Sequence, residues 1–428
     1  MNDAQDLPAA GHNRPPGAAA PVVPRARGGS GVEGLSPMEL AFPTIEDLRQ
    51  RAQRRTPKFA YDFVSCGCGE NLATARNRAA FDAVEILPRY GLGNLAIDTS
   101  VELFGRRYAA PIGMAPMGMG GLLWPHMELH LAAAAQAANI PYVLATPASA
   151  SIEAIGRIAP DVFWFQSYGQ PRDDYRITFD LLRRAADAGA RALLVTIDTP
   201  VRAKRPQDAR NRLAVPFRPR LGTMLDIARH PAWALATLRA GTPRCENFLA
   251  YMQGTPSATD VANFVAGQTR GGYEWNTIAR LRDAWPNALV IKGVLHPNDA
   301  EQARAIGADG IVVSNHGGRT FDGAPAAIDM LPAVKSRAGG MTILLDSGPR
   351  SGLDIARAIA VGAHSTITGR PFQYGVAAAG AAGARHAVHI FIDELRQMMG
   401  QIGVRTLSEL AQVEFRQPRA AAYANLGQ

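Results

Sequence analysis

Cysteine is scarce in this sequence: the 428 residues include three, Cys66, Cys68 and Cys245. Three cysteines cannot form the disulfide framework of a small extracellular domain, and this scarcity is typical of proteins in a reducing compartment. The closely spaced Cys66 and Cys68 lack the second pair of ligands that a zinc site needs, so no metal site is predicted. We interpret them as small residues in a turn.

Long apolar runs are also missing. The sequence contains no stretch of about 18 apolar residues, so no transmembrane helix is predicted. Its N-terminus lacks the apolar segment of a secretory signal peptide. Hydrophobic residues nevertheless make up 47% of the chain, which is ample material for a large core. We therefore expect a cytoplasmic globular protein.

Acidic residues are outnumbered, 37 against 45 lysines and arginines, which gives a formal net charge of +8. The excess is concentrated between Val201 and Arg244, where ten Lys or Arg accompany only Asp208 and Asp226. A basic segment of this kind suits nucleic acid, an anionic membrane surface or an acidic substrate. A solvated, disordered insertion is the alternative interpretation.

Composition and local patterns predict how the chain is divided. Residues 1–36, rich in Pro, Gly and Ala, are predicted to be a disordered tail. Residues 37–110 are predicted to form a helical segment that packs on the domain that follows it. Its first helix begins after Thr44, with Asp47 in the capping-box position, and its second covers about Lys58 to Ser65.

Eight short apolar segments alternate with helical patterns from residue 111 to about 415, and residues 416–428 are predicted to be a C-terminal tail. Eight βα units imply the α/β fold called the (β/α)8 or TIM barrel. A doubly wound sheet is the alternative, but no GxGxxG fingerprint follows the first strand. The connection after strand four, about 199–277, is longer than a barrel needs, which indicates that it is functional, mobile or both.

Polar residues follow most of the predicted strands, at the end of the barrel where active sites lie. They are Gln166 and Tyr168 after strand three, Thr196 and Asp198 after strand four, Lys292 after strand five, His316 and Arg319 after strand six, Asp346 and Arg350 after strand seven, and Gly369 and Arg370 after strand eight. Because a buried polar cluster is costly unless its members are paired, this concentration predicts an active site.

The stretch IVVSNHGGRTFD predicts a buried strand that ends at a base and a cation. His316 is the candidate general base, because imidazole titrates near neutral pH, and Asp198 on a neighbouring strand would orient it. Arg319 and Arg205 are candidates for binding a carboxylate by paired hydrogen bonds. Lys292 fits either a Schiff-base amine or a cation near an electron-rich cofactor ring.

The loops after strands seven and eight predict a phosphate site. The segment DSGPRSG opens a helix and TGRP follows the last strand, which places backbone N–H groups, a helix N-terminus, Arg350 and Arg370 close together. Barrels commonly bind phosphate at these two loops. Surface ion pairs are the alternative for the two arginines.

Several motifs together resemble those of the FMN-dependent α-hydroxy acid dehydrogenase/oxidase family, over roughly residues 40–415. They are SNHGGRTFDGAPAAIDMLP, DSGPRSGLDIARAIAVGA, TGRP, WFQSY, VTIDTP and VIKGV, of which the SNHGGR block is highly specific. The run GGLLWPHMELHLAAAAQAANIPYVLATPASASIE is most similar to the mandelate dehydrogenase branch of that family. The resemblance implies a TIM barrel, FMN as cofactor and oxidation of a 2-hydroxy acid.

The resemblance also implies a role for each matching residue. His316 takes the substrate hydroxyl proton with the support of Asp198, Tyr168 hydrogen-bonds the substrate, and Arg319 and Arg205 bind its carboxylate. Lys292 stabilises the reduced flavin ring. The implied FMN contacts are Pro116, Met117, Gly118, Gln166, Thr196, Lys292, Ser314, Asp346, Ser347, Gly348, Arg350, Gly369 and Arg370.

Three positions depart from the family pattern. Phe63 replaces a carboxylate-binding tyrosine, Ala145 replaces a serine for which the neighbouring Thr146 is a candidate substitute, and Ser347 replaces the first glycine of DGGxR. One lost hydrogen bond to a charged group costs about 1.5–3 kcal/mol, which weakens substrate binding without removing two arginines. Gly118, where short-chain oxidases tend to carry alanine, predicts room for a bulky or aromatic substrate group.

Together these observations predict oxidation of an L-2-hydroxy acid, mandelate- or lactate-like, to the 2-oxo acid. The predicted electron acceptor is a quinone, a cytochrome or O₂, and the predicted assembly is a homotetramer. We favour a dehydrogenase that contacts the inner face of the cytoplasmic membrane through the basic loop 201–244, and we expect no nucleic acid partner. The alternatives are a flavin-binding family member with an atypical substrate and a phosphate-binding barrel lyase that uses Lys292.

Overall fold

The computed structural model describes residues 34–213, 217–268 and 272–423; most of the predicted N-terminal tail lies outside these ranges. Ahead of the barrel, the described chain forms the helices Pro37–Ala41, Ile45–Arg55, Lys58–Ser65 and Leu72–Asp82. The predicted capping box is confirmed, because Thr44 Oγ1 accepts from Asp47 N at 3.3 Å and Thr44 N donates to Asp47 Oδ2 at 3.0 Å. The predicted helix from Lys58 to Ser65 is confirmed as well.

Eight parallel strands close into a barrel, which confirms the predicted fold. They are strand one (Ile112–Met114), two (Tyr142–Ala145), three (Phe163–Ser167), four (Ala192–Thr196), five (Ala288–Val294), six (Gly310–Val313), seven (Thr342–Leu345) and eight (Ser365–Thr368). Strand one pairs with both strand two and strand eight, which closes the sheet. Most strand residues are buried, because helices cover the outer face and side chains fill the interior.

Helices follow the strands and cover the barrel. They are Met127–Ala138, Ile152–Ile158, Arg176–Asp187, Trp275–Ala284, Pro297–Ala305, Ala327–Arg337, Gly352–Val361 and Arg370–Ile402, with the short Leu407–Leu410 at the end. The longest is broken at Ala379 and Gly380, whose backbone angles are not helical. Across the described residues, no helix has both the length and the apolar character needed to cross a membrane.

The insertion after strand four is folded against the loops at the barrel mouth. Within its described part lie the helices Pro206–Arg210, Leu221–Ala228, Pro231–Ala240 and Ala258–Gln268 and the 3-10 helix Glu246–Tyr251. Trp233 Nε1 donates to Leu123 O and Asn247 Nδ2 donates to Thr146 O, both at 3.0 Å. These contacts contradict a solvated coil for this part of the insertion; residues 214–216 and 269–271 lie outside the described chain.

Two small antiparallel pairs lie outside the barrel. Val101–Leu103 pairs with Arg106–Tyr108, and Glu85–Ile86 pairs with Phe415–Arg416. Beyond the second pair, Gln417 Nε2 donates to Ile328 O at 2.9 Å. The first residues of the predicted C-terminal tail therefore contact the barrel, and residues 424–428 lie outside the described chain.

Candidate active site

A cavity opens at the carboxyl ends of the strands. The predicted site residues that line it are Pro116, Met117, Gly118, Tyr168, Lys292, His316, Arg319, Asp346, Ser347, Gly348, Arg350, Gly369 and Arg370. Five other predicted site residues do not line the cavity themselves but lie next to it and make hydrogen bonds there: Gln166, Thr196, Asp198, Arg205 and Ser314.

His316 lies directly after strand six and is paired with Asp198 from the end of strand four. Its Nδ1 is 2.9 Å from Asp198 Oδ1. Gly293 on strand five makes this approach feasible, because a Cβ there would lie 2.5 Å from Asp198 Cγ. Burial alone would raise the pKa of Asp198, but its electrostatic interaction and hydrogen bond with His316, together with the positive charge of Lys292, hold that pKa below its usual value. Asp198 is therefore the ionised partner that the sequence predicts for His316.

Tyr168 lies on the other side of the His316 ring. The Tyr168 hydroxyl is 3.3 Å from His316 Nε2. Because burial raises the pKa of Tyr168 to about 12, the hydroxyl keeps its proton. We assign Nδ1–H of His316 as the donor to Asp198 and the Tyr168 hydroxyl as the donor to Nε2. In this tautomer Nε2 carries the lone pair that can accept a proton.

Lys292 is buried on strand five, and a neighbouring carboxylate balances its positive charge. Its Nζ lies 3.1 Å from Asp346 Oδ2 and 3.4 Å from Ser314 Oγ. Burial alone would lower the pKa of Lys292, but the charges of Asp346 and Asp198 raise it above its usual value. A protonated amine is not a nucleophile, which argues against the lyase alternative. Lys292 instead supplies a fixed positive charge at the cavity wall.

Gln166 and Thr196 belong to a buried hydrogen-bonded chain across strands two to four. Gln166 Nε2 donates to Thr196 Oγ1 at 2.9 Å. Thr146 Oγ1 donates to Gln166 O at 2.7 Å and accepts from Tyr168 N at 3.2 Å. Both hydrogen bonds of the Thr146 hydroxyl are therefore made to backbone groups. The hydroxyl is not free to take the place of the family serine that Ala145 replaces.

The loop after strand one forms the opposite wall of the cavity, with Pro116, Met117 and Gly118 along it. Met117 packs against Gly369, where an added Cβ would collide with the Met117 sulfur. An added Cβ at Gly118 would lie 2.8 Å from Pro147 Cγ. The close approach of the strand-two loop therefore explains a glycine at 118, and room for a bulky substrate group stays a prediction.

Arg319 and Arg205 meet at the C-terminal end of the helix Lys58–Ser65. Arg319 Nη1 donates to the carbonyl oxygens of Phe63 and Val64, both at 3.0 Å, and of Cys66 at 3.2 Å. Arg205 Nη2 donates to Phe63 O at 2.6 Å. The Phe63 ring centroid lies 5.1 Å from Arg205 Cζ and 5.7 Å from Arg319 Cζ, so the ring supports both cations.

This group of guanidinium ions is short of negative charge. Burial, with repulsion from Arg205 and Arg370, lowers the pKa of Arg319 to about 9. Burial also lowers the pKa of Arg205 and of Arg370. Arg205 Nη1 lies 3.2 Å from Asp208 Oδ2, but Arg205 Nε is buried without a hydrogen-bond partner in the described part of the chain. A bound carboxylate would relieve this imbalance.

The predicted phosphate site contains two helix N-termini, and they differ. The helix Gly352–Val361 is capped by the protein itself, because Gly352 N donates to Glu394 Oε2 at 2.7 Å and Arg350 N donates to Asp354 Oδ2 at 2.8 Å. This helix end is therefore less available to a phosphate than the sequence suggested. Within the helix, Gly352 N is occupied by a carboxylate and Asp354 N by the Ser351 hydroxyl, and the N–H of Arg350 just ahead of the helix is occupied by a carboxylate too.

The second N-terminus, that of the helix Arg370–Ile402, starts at Gly369, which has no side chain to cap it. Arg350 lines the cavity beside it. The Arg370 guanidinium donates to Val64 O at 3.0 Å and to Gly317 O at 2.9 Å, so it lies close to Arg319, which also donates to Val64 O. These groups fit the phosphate of FMN, and the protonated Lys292 fits an electron-rich flavin ring.

Two supports of the His316 turn were not foreseen from the sequence. Asn77 and Asn315 exchange amide hydrogen bonds of 2.8 and 2.7 Å, which join the turn to the helix Leu72–Asp82. The segment from Cys66 to Cys68 packs on the same turn, since Cys68 N donates to Gly318 O at 2.9 Å. An added Cβ at Gly67 would collide with that carbonyl. A glycine between two small residues was therefore the signal in the sequence from which this close packing could have been predicted.

A barrel mouth that combines a paired histidine base, a buried protonated lysine and an uncapped helix N-terminus beside arginines can bind a phosphate-bearing cofactor. Residues 52–417 match the family model described as FMN-dependent dehydrogenase. The chain belongs to this family, and FMN is its cofactor. The similarity expected from the SNHGGR block is thereby confirmed.

Named relatives agree with this assignment. The (S)-mandelate dehydrogenase of Pseudomonas putida is 33% identical over 367 residues, 86% of this chain and 92% of that protein. An L-lactate dehydrogenase of Caulobacter vibrioides is 35% identical over 366 residues, 85% of this chain and 95% of that protein.

Solved structures give the same result. The crystal structure of the monotopic membrane protein (S)-mandelate dehydrogenase superposes with a TM-score of 0.83 at 32% identity, and covers 87% of this chain and 99% of its own. A mandelate oxidase structure superposes with a TM-score of 0.72 at 32% identity, and covers 88% of this chain and 99% of its own.

Proposed function

We propose that the protein oxidises an L-2-hydroxy acid, mandelate- or lactate-like, to the 2-oxo acid. The observation that carries this proposal is a His316–Asp198 base placed beside two half-buried arginines, Arg319 and Arg205, that lack sufficient negative charge. Such a site can hold a carboxylate and accept a proton from a hydroxyl close to it. The names of the relatives, mandelate and lactate dehydrogenases, support this choice of substrate. FMN, when bound, accepts the hydrogen that leaves the α-carbon.

His316 receives the hydroxyl proton at Nε2. Asp198, ionised and 2.9 Å from Nδ1, stabilises the imidazolium that results. Tyr168 keeps its proton, and its hydroxyl moves from Nε2 to the substrate oxygen when the substrate is present. The base and its two partners come from three different strand ends, so the barrel holds their geometry.

Arg319 and Arg205 hold the carboxylate. Each guanidinium is fixed by the carbonyl of Phe63, so little side-chain freedom remains to be lost when the substrate binds. Arg205 Nε supplies a donor that has no protein partner in the described residues. The carboxylate thereby orients the neighbouring hydroxyl toward His316.

We propose that the cofactor is held along the rest of the cavity. Gly369, Arg350 and Arg370 bind the phosphate, and Asp346, Ser347 and Gly348 line the ribityl path. Pro116, Met117 and Gly118 lie against the ring, with Lys292 at its edge. Gln166, Thr196 and Ser314 position these groups through the buried hydrogen bonds described above.

The proposal is tested by anaerobic bleaching of the FMN-loaded protein with a panel of lactate, glycolate, mandelate and longer 2-hydroxy acids. We expect bleaching by the L enantiomer of at least one acid. His316→Asn should reduce the rate by about 10²–10⁴-fold, the usual contribution of a general base. His126→Asn is the matched control, because His126 is exposed and has nearly the same φ, 57° against 58°.

Two outcomes would count against the proposal. A yellow protein that no 2-hydroxy acid bleaches would favour a family member with an atypical substrate. Bleaching that survives His316→Asn at the wild-type rate would remove His316 from the role of base.

We also propose that the insertion contacts an anionic membrane surface and that the enzyme passes its electrons to a quinone there. The helices Leu221–Ala228 and Pro231–Ala240 expose Leu221, Met224, Leu225, Leu235 and Leu238. Exposed arginines accompany them at Arg218, Arg220, Arg229 and Arg239. Apolar side chains flanked by cations suit an interfacial helix. The solved mandelate dehydrogenase is itself described as a monotopic membrane protein.

Co-sedimentation with lipid vesicles tests this contact. We expect the protein to bind vesicles that contain anionic lipid and to be released by salt. Leu225→Glu with Leu238→Glu should abolish binding, because these side chains are 52% and 80% exposed on the two helices. Leu72→Glu is the matched control, since Leu72 is 57% exposed but lies outside the insertion. A protein that stays in solution at low salt and rapidly forms peroxide would instead be a soluble oxidase.

A further inference from the structure

The turn that carries His316 is held by two serine hydroxyls. Three successive backbone N–H groups donate to them: Asn315 N to Ser347 Oγ at 3.1 Å, His316 N to Ser314 Oγ at 3.0 Å, and Gly317 N to Ser347 Oγ at 2.9 Å. Ser347 thus binds the peptide groups on both sides of the base. Both serines are buried, so water does not compete for these bonds.

The serine pair is connected to the charged centre of the site. Ser314 Oγ donates to Asp346 Oδ2 at 2.9 Å, and Ser347 Oγ lies 3.2 Å from Ser314 Oγ. Because Ser314 gives its own proton to Asp346, we assign Ser347 as the donor between the two hydroxyls. Asp346 in turn pairs with Lys292 at 3.1 Å. One hydrogen-bonded chain therefore runs from Lys292 to the backbone of His316.

Ser347 maintains these bonds from an unfavourable backbone conformation. Its φ is +75°, in the left-handed region where a glycine suffers no Cβ clash and a serine does. A strained residue of this kind is often retained because its side chain serves the site. Here the hydroxyl is what a glycine at this position would lack.

We propose that Ser347 is a positioning residue for His316: its hydroxyl fixes the turn so that the imidazole faces both Asp198 and the substrate hydroxyl. His316 itself has a φ of +58°, so its own backbone preference does not hold it there. The inference rests on the proposed role of His316 as the base. It goes beyond a contact between Ser347 and the cofactor, which would act on FMN affinity.

Two substitutions separate strain from positioning in the FMN-loaded enzyme. Ser347→Gly removes the hydroxyl and relieves the backbone strain, whereas Ser347→Ala removes the hydroxyl and keeps the strain. We expect both to lower kcat by about 10- to 100-fold, the effect of a small misplacement of a catalytic group, with KM changed much less because the arginines are untouched. The melting temperature should be higher for Ser347→Gly than for Ser347→Ala.

Three further readouts identify the cause. FMN affinity, from quenching of flavin fluorescence, should stay within a few-fold of wild type. The pH profile of kcat/KM should shift in both variants, although the groups that face the His316 ring, Asp198, Tyr168 and Lys292 with nearby Arg319, are unchanged. Peptide mapping should show faster modification of His316 by diethyl pyrocarbonate, a measurement that needs no turnover. Ser336→Gly, in the helix Ala327–Arg337 away from the cavity, controls for lost stability alone and should leave the pH profile unchanged.

The inference fails if Ser347→Gly retains the wild-type kcat, pH profile and His316 reactivity, or if its whole loss of activity is restored by saturating FMN. Failure of the proposed function appears differently, as a wild-type protein that no 2-hydroxy acid reduces. In that case the His316 reactivity of the two variants still decides whether Ser347 holds the turn.

Discussion

Two cations that line the cavity, Lys292 and Arg319, are held in different ways. Lys292 pairs with Asp346, and the nearby negative charges raise its pKa above the usual value. Arg319 bonds to three backbone carbonyls and lies among other arginines, and burial with this repulsion lowers its pKa to about 9. The protein thus balances the charge of Lys292 with its own carboxylate, whereas the charge of Arg319 remains to be balanced by a ligand.

This difference separates a permanent component of the site from a binding component. A buried ion pair costs desolvation but is satisfied in every state of the enzyme. A half-buried cation that donates to neutral carbonyls has its hydrogen bonds satisfied but its charge unbalanced, so a carboxylate that binds there gains the most. Each of the following changes tests one side of the comparison.

The largest effect is expected from Lys292→Met. The substitution leaves Asp346 buried without its cation, which should lower the free energy of unfolding by about 3–5 kcal/mol. Urea denaturation of the FMN-free protein measures this loss. Lys292→Met combined with Asp346→Asn should recover a large part of it, and a double variant as unstable as the single one would contradict the ion-pair explanation.

Arg319→Met should act on catalysis more than on stability. Loss of a charged contact to the carboxylate is worth about 2–4 kcal/mol, or roughly 30- to 1,000-fold in kcat/KM. The freed carbonyls keep other donors, since Phe63 O also accepts from Arg205 and Val64 O from Arg370. Steady-state kinetics and urea denaturation measured together test this. Destabilisation as large as that of Lys292→Met would remove the distinction between the two cations.

A non-reacting carboxylate should stabilise the wild-type protein selectively. At ten times its dissociation constant, an anionic substrate analogue adds about 1.4 kcal/mol to the free energy of unfolding by mass action. Thermal denaturation with and without the analogue measures this. At the same concentration the gain should vanish in Arg319→Met, whose binding site is lost; equal stabilisation of both proteins would place the anion elsewhere.

Phe63→Tyr should produce the smallest effect. It adds a hydroxyl beside Arg205 and Arg319 that can donate to the substrate carboxylate. In a pocket shaped for phenylalanine we expect less than the roughly 1.5–3 kcal/mol of a well-placed bond to a charged group, about 1 kcal/mol, which is a fall in KM of roughly five-fold. Phe321→Tyr, at a ring that is 67% exposed, is the matched control. An unchanged KM in Phe63→Tyr would show that the ring position, rather than the missing hydroxyl, sets substrate affinity.

The barrel and the His316–Asp198 pair were predictable because their signals are local. Strand and helix periods repeat eight times along the chain, and residues at the ends of parallel strands must meet at one edge. The capping box at Thr44 and Asp47 is equally local, since three residues separate its members.

The contacts that hold the arginines were not predictable. Their acceptors are backbone carbonyls, which every residue has. The side chains of Val64 and Cys66 therefore give no indication that their carbonyls hold an arginine. The cap of the helix Gly352–Val361 comes from Glu394, 42 residues beyond the N–H that it accepts. The Ser347 hydroxyl accepts from two backbone N–H groups only because the residue has a left-handed backbone angle. A serine in the sequence gives no sign of such an angle.

The helix Lys58–Ser65 also constrains how the protein acquires its activity. Val64 O accepts from Arg370, 306 positions further along the chain. Contacts between such distant segments are slow to form, because the intervening loop must first be closed. During synthesis, the wall that holds the arginines remains incomplete until the final strand has been made. The anion-binding part of this enzyme is therefore among the last features that a growing chain can assemble.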